Sequence, residues 1–117
     1  MKDFKKLIVW QKSIKLVKKV YTVTKRLPKE ELYGLTSQVR RAAVSIPSNI
    51  VEGSGKGNKE FNHYLNISKG SSFELETQFI IIKELDYTSI ETFNEINAHI
   101  IEIQKMLVGL QKSLKTT

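Results

Sequence analysis

No cysteine occurs in the 117 residues, which excludes a disulfide framework, a thiolate metal site and a cysteine nucleophile. That absence is compatible with a reducing cytoplasm, the location expected here. Histidine is almost as scarce, with two residues, His63 and His99, too few for most histidine-rich metal centres. Long apolar runs are also missing. The apolar stretch near the start, Leu7 to Trp10, is far shorter than a membrane span or the core of a signal peptide requires. The protein is therefore expected to remain where it is made and off the membrane. Aromatic residues make up 9% of the chain and do not interleave with its lysines, so the sequence offers no platform for stacking single-stranded bases.

What is present is ordinary globular composition, 40% apolar and 26% charged, enough for one modest core in one domain spanning residues 1–117. Four stretches carry apolar or small residues at steps of three and four, the spacing of one helix face. The first runs Trp10, Ile14, Val17, Tyr21 and stops at Leu27-Pro28, where proline disfavours helix in the residue before it. Next come Leu32, Leu35, Val39, Ala42, Ile46 and Asn49, closed by Gly53-Ser54-Gly55-Lys56-Gly57, where a glycine is expected to take a left-handed C-cap. The third holds Phe61, Leu65, Ser68, Ser72, Leu75, Phe79 and Ile82. Ser89 is expected to cap the fourth, which holds Phe93, Ile96, Ile100, Ile103, Leu107, Leu110 and Leu114. Alternation with period two is absent, as are Asn-Gly and Asp-Gly hairpin turns. The pattern predicts an all-α fold, an antiparallel up-down-up-down four-helix bundle joined by short connections.

Three of these helices carry more apolar surface than one seam uses. Val9, Leu16, Val20, Val23 and Leu27 make a second stripe on the first helix. Phe73, Ile80 and Tyr87 recur every seven residues on the third, and Ile101 and Val108 do so on the fourth. A lone bundle buries one stripe per helix, so the surplus predicts subunit contacts and a homo-oligomer.

Charge is one-sided. Residues 1–57 hold 13 Lys and Arg against 4 Asp and Glu, a net +9; residues 58–117 hold 6 against 8, a net −2. A field of this kind attracts polyanions or acidic protein surfaces. Lys12, Lys15, Lys19 and Arg26 share one face of the first helix, with Lys18 and Lys25 on its flank. They are the candidate contacts for RNA or DNA phosphates, and no base-reading motif accompanies them, so weak sequence preference is expected.

Catalytic and metal patterns fail on inspection. Gly53-Ser54-Gly55-Lys56-Gly57 has Ile50 where a phosphate loop needs glycine and Gly57 where it needs Ser or Thr. Glu60-Phe61-Asn62-His63 has di-iron spacing, but a second Glu-x-x-His is lacking because Ile96 stands three residues before His99. The expectation is a non-enzymatic protein with no metal and no cofactor.

The segment from Gln38 to Gly53 departs from simple packing. Pro47 within a helix removes the hydrogen bond to the Ala43 carbonyl and is expected to bend it. Asn49 falls on the apolar seam, where an unpaired amide is costly; Glu52 is a candidate partner for it or for a freed backbone group. Arg40 and Arg41 are expected to pair with Glu74 and Glu76 across helices, a reading preferred to the alternative of phosphate contact. Gly70-Ser71-Ser72 is expected to permit close backbone approach.

Leu7 to Trp10, Tyr21, Pro28 with Glu31 to Thr36, Gln38 to Gly53, and Gly70-Ser71 with Glu74-Leu75-Glu76 closely resemble the four-helix bundle family encoded by intervening sequences of bacterial 23S ribosomal RNA genes. The block Ser45-Ile46-Pro47-Ser48-Asn49-Ile50-Val51-Glu52-Gly53 is its specific part. The resemblance implies a ring-shaped homopentamer and marks Arg40, Arg41, Pro47, Asn49, Glu52, Gly53 and Glu74 as a structural signature. A related branch, the accessory protein of diversity-generating retroelements, binds nucleic acid and a reverse transcriptase through a basic surface. Two function classes follow: a nucleic-acid-binding oligomeric scaffold, or a protein adaptor or purely structural oligomer with no direct nucleic-acid role.

Overall fold

The computed structural model describes residues 3–115. Four helices make up almost all of it: α1 (Ile8–Thr24), α2 (Leu35–Ser54), α3 (Asn58–Glu84) and α4 (Ile90–Lys115). Short 3-10 turns at Phe4–Lys6 and Lys29–Glu31 precede α1 and α2. Each helix packs against two neighbours, in the order α1, α2, α3, α4 and back to α1. Cross-helix contacts fix the directions. Arg40 of α2 meets Thr24 of α1, Ser45 meets Ser71, Glu76 meets Gln104 and Lys12 meets Glu102. All four neighbouring pairs run antiparallel, giving an up-down-up-down four-helix bundle, 46 × 24 × 20 Å.

The core lies on the axis of this square and is filled by Leu16, Val20, Ile46, Ile50, Leu65, Phe79, Ile100 and Leu107, among others, all fully buried. Burial of such side chains contributes roughly 1.5–3 kcal/mol each, which outweighs the weak helix propensity of so many β-branched residues. On α3 and α4 the buried residues are those of the predicted seams, with Gln78 and Gln111 added and Leu110 only partly covered.

On α1 the register differs. The buried face is Val9, Ser13, Leu16, Val20 and Thr24, while Ile14 and Tyr21 of the predicted seam are exposed and Trp10 and Val17 half-buried. Small polar residues make this possible. Ser13 Oγ donates to the Trp10 carbonyl at 2.7 Å and Thr24 Oγ1 to the Val20 carbonyl at 2.7 Å, so neither hydroxyl enters the core unpaired.

α2 and α3 approach most closely. Gly53 has no room for a side chain: a Cβ there would lie 2.8 Å from Tyr64 Cβ and 2.9 Å from Phe61 Cδ1. Gly70, by contrast, faces open space, and the contact expected of that segment is made by Ser71, whose Oγ lies 2.8 Å from Ser45 Oγ. Ser68, close by, also links to α2, its Oγ donating to the Ile46 carbonyl at 2.8 Å.

The left-handed cap expected in the glycine-rich turn is also displaced. Gly55 has φ −90°, and the positive-φ residue is Asp86, at φ 60°. There the Tyr87 N–H reaches the Ile82 carbonyl at 3.0 Å and the Asp86 N–H the Lys83 carbonyl at 2.9 Å, the paired bonds of a Schellman end to α3. Ser89 caps α4 as expected, accepting from the Thr92 N–H at 3.1 Å. Among the described residues no helix is long and apolar enough to cross a membrane.

Candidate nucleic-acid interface

The four basic residues assigned to one face of α1 do lie together, along the side that meets α4. Two are engaged there. Lys12 Nζ lies 3.0 Å from Glu102 Oε1, and Lys19 Nζ is paired with Glu95. Both pairs are exposed, so their stabilising value is small. The proton balance still registers one of them: the Lys19 hydrogen bond, helped by its charge, holds the Glu95 carboxyl below its ordinary value. Lys15 and Arg26 form no ion pair among the described residues. With Lys18, Lys19, Thr22, Val23, Thr92, Glu95 and Ile96 they line an open groove of ≈ 610 Å³ between α1 and α4.

Glu95 and Glu102 were not read as part of this face, although the signal was available. They are seven residues apart on α4, as Lys12 and Lys19 are on α1, and antiparallel helices bring equal spacings into register. His99 lies between the two glutamates. Its Nδ1 is buried without a hydrogen-bond partner, and burial, then the nearby Lys19 charge, lowers its pKa from the ordinary 6.5.

The signature residues take other roles than those expected. Arg40 does not pair with Glu74 or Glu76. Its guanidinium stacks on the Tyr21 ring, 4.5 Å from the centroid, and its Nε donates to Thr24 Oγ1 at 2.9 Å. Arg41 is exposed with no carboxylate partner, Glu74 is exposed, and Glu76 accepts from Gln104 Nε2 at 2.9 Å. The helical offset explains this: the α2 face turned toward α3 is occupied by Ser45 and Asn49, and Arg40 is carried round to α1. Asn49 is half-buried, and its Nδ2 donates to the carbonyl and hydroxyl of Ser45 at 2.9 and 3.0 Å. Glu52 is exposed and is not its partner. Pro47 is buried within a helix that continues past it, and Ser48 Oγ caps the Val44 carbonyl at 2.8 Å nearby.

No group of three or more His, Cys, Asp or Glu side chains suited to a metal ion comes together among the described residues. Glu60 and His63 therefore stand without the carboxylates a di-iron site requires.

Residues 5–109 match the 23S rRNA-intervening sequence protein family. The chain belongs to that family. A crystal structure of a protein of unknown function from the S23 ribosomal protein family of Bacteroides thetaiotaomicron superposes with a TM-score of 0.83 at 26% identity. The match covers 90% of this chain and 96% of that one. No curated protein matches the chain. No enzymatic family is indicated by either comparison.

Proposed function

We propose that this family member is a non-enzymatic, cytoplasmic, homo-oligomeric scaffold, a ring of five subunits, that binds RNA or DNA with little sequence preference. The observation that carries the binding is the groove between α1 and α4, where Lys15, Lys18 and Arg26 line one wall without carboxylate partners. Phosphate neutralisation by such a row supplies affinity without reading bases, and repetition around an oligomer multiplies it. Lys12 and Lys19 contribute less to this reading than their position on the helix suggests, because Glu102 and Glu95 already occupy them.

The test is a titration of the full chain with a structured RNA hairpin at several salt concentrations. Affinity is expected to fall steeply as salt rises, and Lys15→Glu with Arg26→Glu to weaken binding without changing the oligomer. No measurable binding at low salt overturns the nucleic-acid reading. The adaptor reading would then lead. That alternative, a protein adaptor or a purely structural oligomer, is favoured by the apolar groove of ≈ 430 Å³ between α1 and α2, lined by Trp10, Ile14, Val17, Val44, Pro47, Ser48 and Val51. Such a surface suits another protein or a second copy of this chain.

A further inference from the structure

Two apolar surfaces are left uncovered, and they lie on opposite sides of the bundle. One is the groove between α1 and α2, walled by Ile14 and Tyr21 on one side and Val44 and Val51 on the other. The second lies over the seam between α3 and α4. There Gln104 donates to Glu76, and each of these residues has apolar neighbours three before and four after it: Phe73 and Ile80 around Glu76, Ile101 and Val108 around Gln104. Side chains at those offsets share a helix face, so the four surround the hydrogen bond. Phe73 is 50% exposed and Ile80 41%. Because helices contact only their neighbours around the square, the α1–α2 side and the α3–α4 side face away from each other.

We propose that these surfaces bind one another between copies of this chain, the α3–α4 ridge of one subunit seated in the α1–α2 groove of the next. The proposal deepens the self-assembly reading above by naming the two faces and the head-to-tail mode. Three observations carry it. Shape is the first: a concave groove on one side, and Phe73 standing out on the other. Spacing is the second. Phe73 and Ile80 are seven residues apart, about 10.5 Å along a helix. Ile14 and Tyr21 are the same distance apart, as are Val44 and Val51, so ridge residues repeat at the interval of the gaps that receive them, as knobs do in holes.

Charge is the third and selects the mode. The α1–α2 groove is lined by Arg40 and Arg41 and by no carboxylate, whereas the α3–α4 ridge carries Glu74 and Glu76. Arg41 is exposed in the groove, and Glu74 is exposed on α3. Stacking groove against groove would oppose two basic surfaces, whereas ridge into groove sets basic against acidic. A head-to-tail interface leaves one face of each kind open until rotation closes a ring. It also leaves the α1–α4 groove outside the contact.

The experiment uses two singly disabled chains, Val44→Glu in the groove and Ile80→Glu on the ridge, with Ile14→Glu and Phe73→Glu as second variants of each face. All four positions are already exposed, and circular dichroism melts check that each variant folds. By light scattering, wild type is expected to be larger than a monomer and each variant alone a monomer. A one-to-one mixture of a groove variant with a ridge variant is expected to double the mass to a heterodimer, since one intact groove meets one intact ridge. Ridge variants that assemble as wild type does, or a mixture that stays monomeric, overturn the assignment of faces. A wild-type chain that is monomeric at every concentration overturns self-assembly itself, a separate failure.

Discussion

Ser45 Oγ on α2 lies 2.8 Å from Ser71 Oγ on α3, and Ser45 also accepts from Asn49 Nδ2 at 3.0 Å. A three-residue relay thus replaces the inter-helix ion pair anticipated for this segment. Ser71→Ala is expected to cost about 0.5–1.5 kcal/mol, the usual net value of one hydrogen bond. Asn49→Ala should cost no more, because its partners lie in its own helix and it is only half-buried. In urea melts the pair Ser45→Ala and Ser71→Ala should be non-additive, since either change removes the same bond.

The glycines of α2 and α3 should respond in opposite directions. Gly53→Ala forces a Cβ against Tyr64 and the Phe61 backbone, and overpacking of this kind costs about 1–3 kcal/mol. Gly70→Ala meets nothing within 4 Å and sits inside α3, so it should stabilise by roughly 0.5–1 kcal/mol. Thermal melts of the two variants check both signs.

Acid should weaken the fold in two steps. His99 titrates below its ordinary 6.5 in the folded chain, so on acidification the unfolded chain takes up that proton first. Stability is then lost as pH falls from about 6.5 toward the lower folded value. Glu95 is also lowered, from 4.5, so its contribution is lost only below that value. His99→Gln should flatten the melting temperature between pH 7 and 5 and leave only the smaller Glu95 step at lower pH.

Glu95 sits in the basic groove and occupies Lys19. Glu95→Gln removes one negative charge and frees one cation, so affinity for the RNA hairpin should rise several-fold at low salt, and less at high salt. Unchanged affinity would indicate that phosphates do not enter this groove.

Much of the architecture was legible in residue spacing alone. Phe61 to Ile82 and Phe93 to Leu114 give the buried faces of α3 and α4 almost residue for residue, since each helix has one dominant stripe. α1 has two. There an unbroken three-four run favoured Trp10, Ile14, Val17 and Tyr21, while the true core face follows the second stripe through Val9, Leu16 and Val20, interrupted by Ser13 and Thr24, whose hydroxyls are satisfied by the helix's own carbonyls. Such pairing depends on side-chain rotamers and leaves no trace in hydrophobicity. The basic stripe was read correctly as a face, but its neutralisation by Glu95 and Glu102 depends on which helices are adjacent. Arg40 was misassigned for the same reason: Tyr21 and Thr24 become its partners only once α1 and α2 are side by side.

The closeness of α2 and α3 has a consequence for how the chain folds. Only Gly55, Lys56 and Gly57 separate these helices, so bringing them together costs little loop entropy, and their packing is locked by Gly53, Ser45 and Ser68. α1 and α4 sit at the two ends of the sequence, with ion pairs joining residues 76 and 90 positions apart. Docking of α1 onto α4 closes the longest loop for the weakest contacts. The central hairpin is therefore the natural folding nucleus, and substitutions at Gly53 should slow folding. Those at Lys12 or Glu102 should instead speed unfolding and leave the folding rate nearly unchanged.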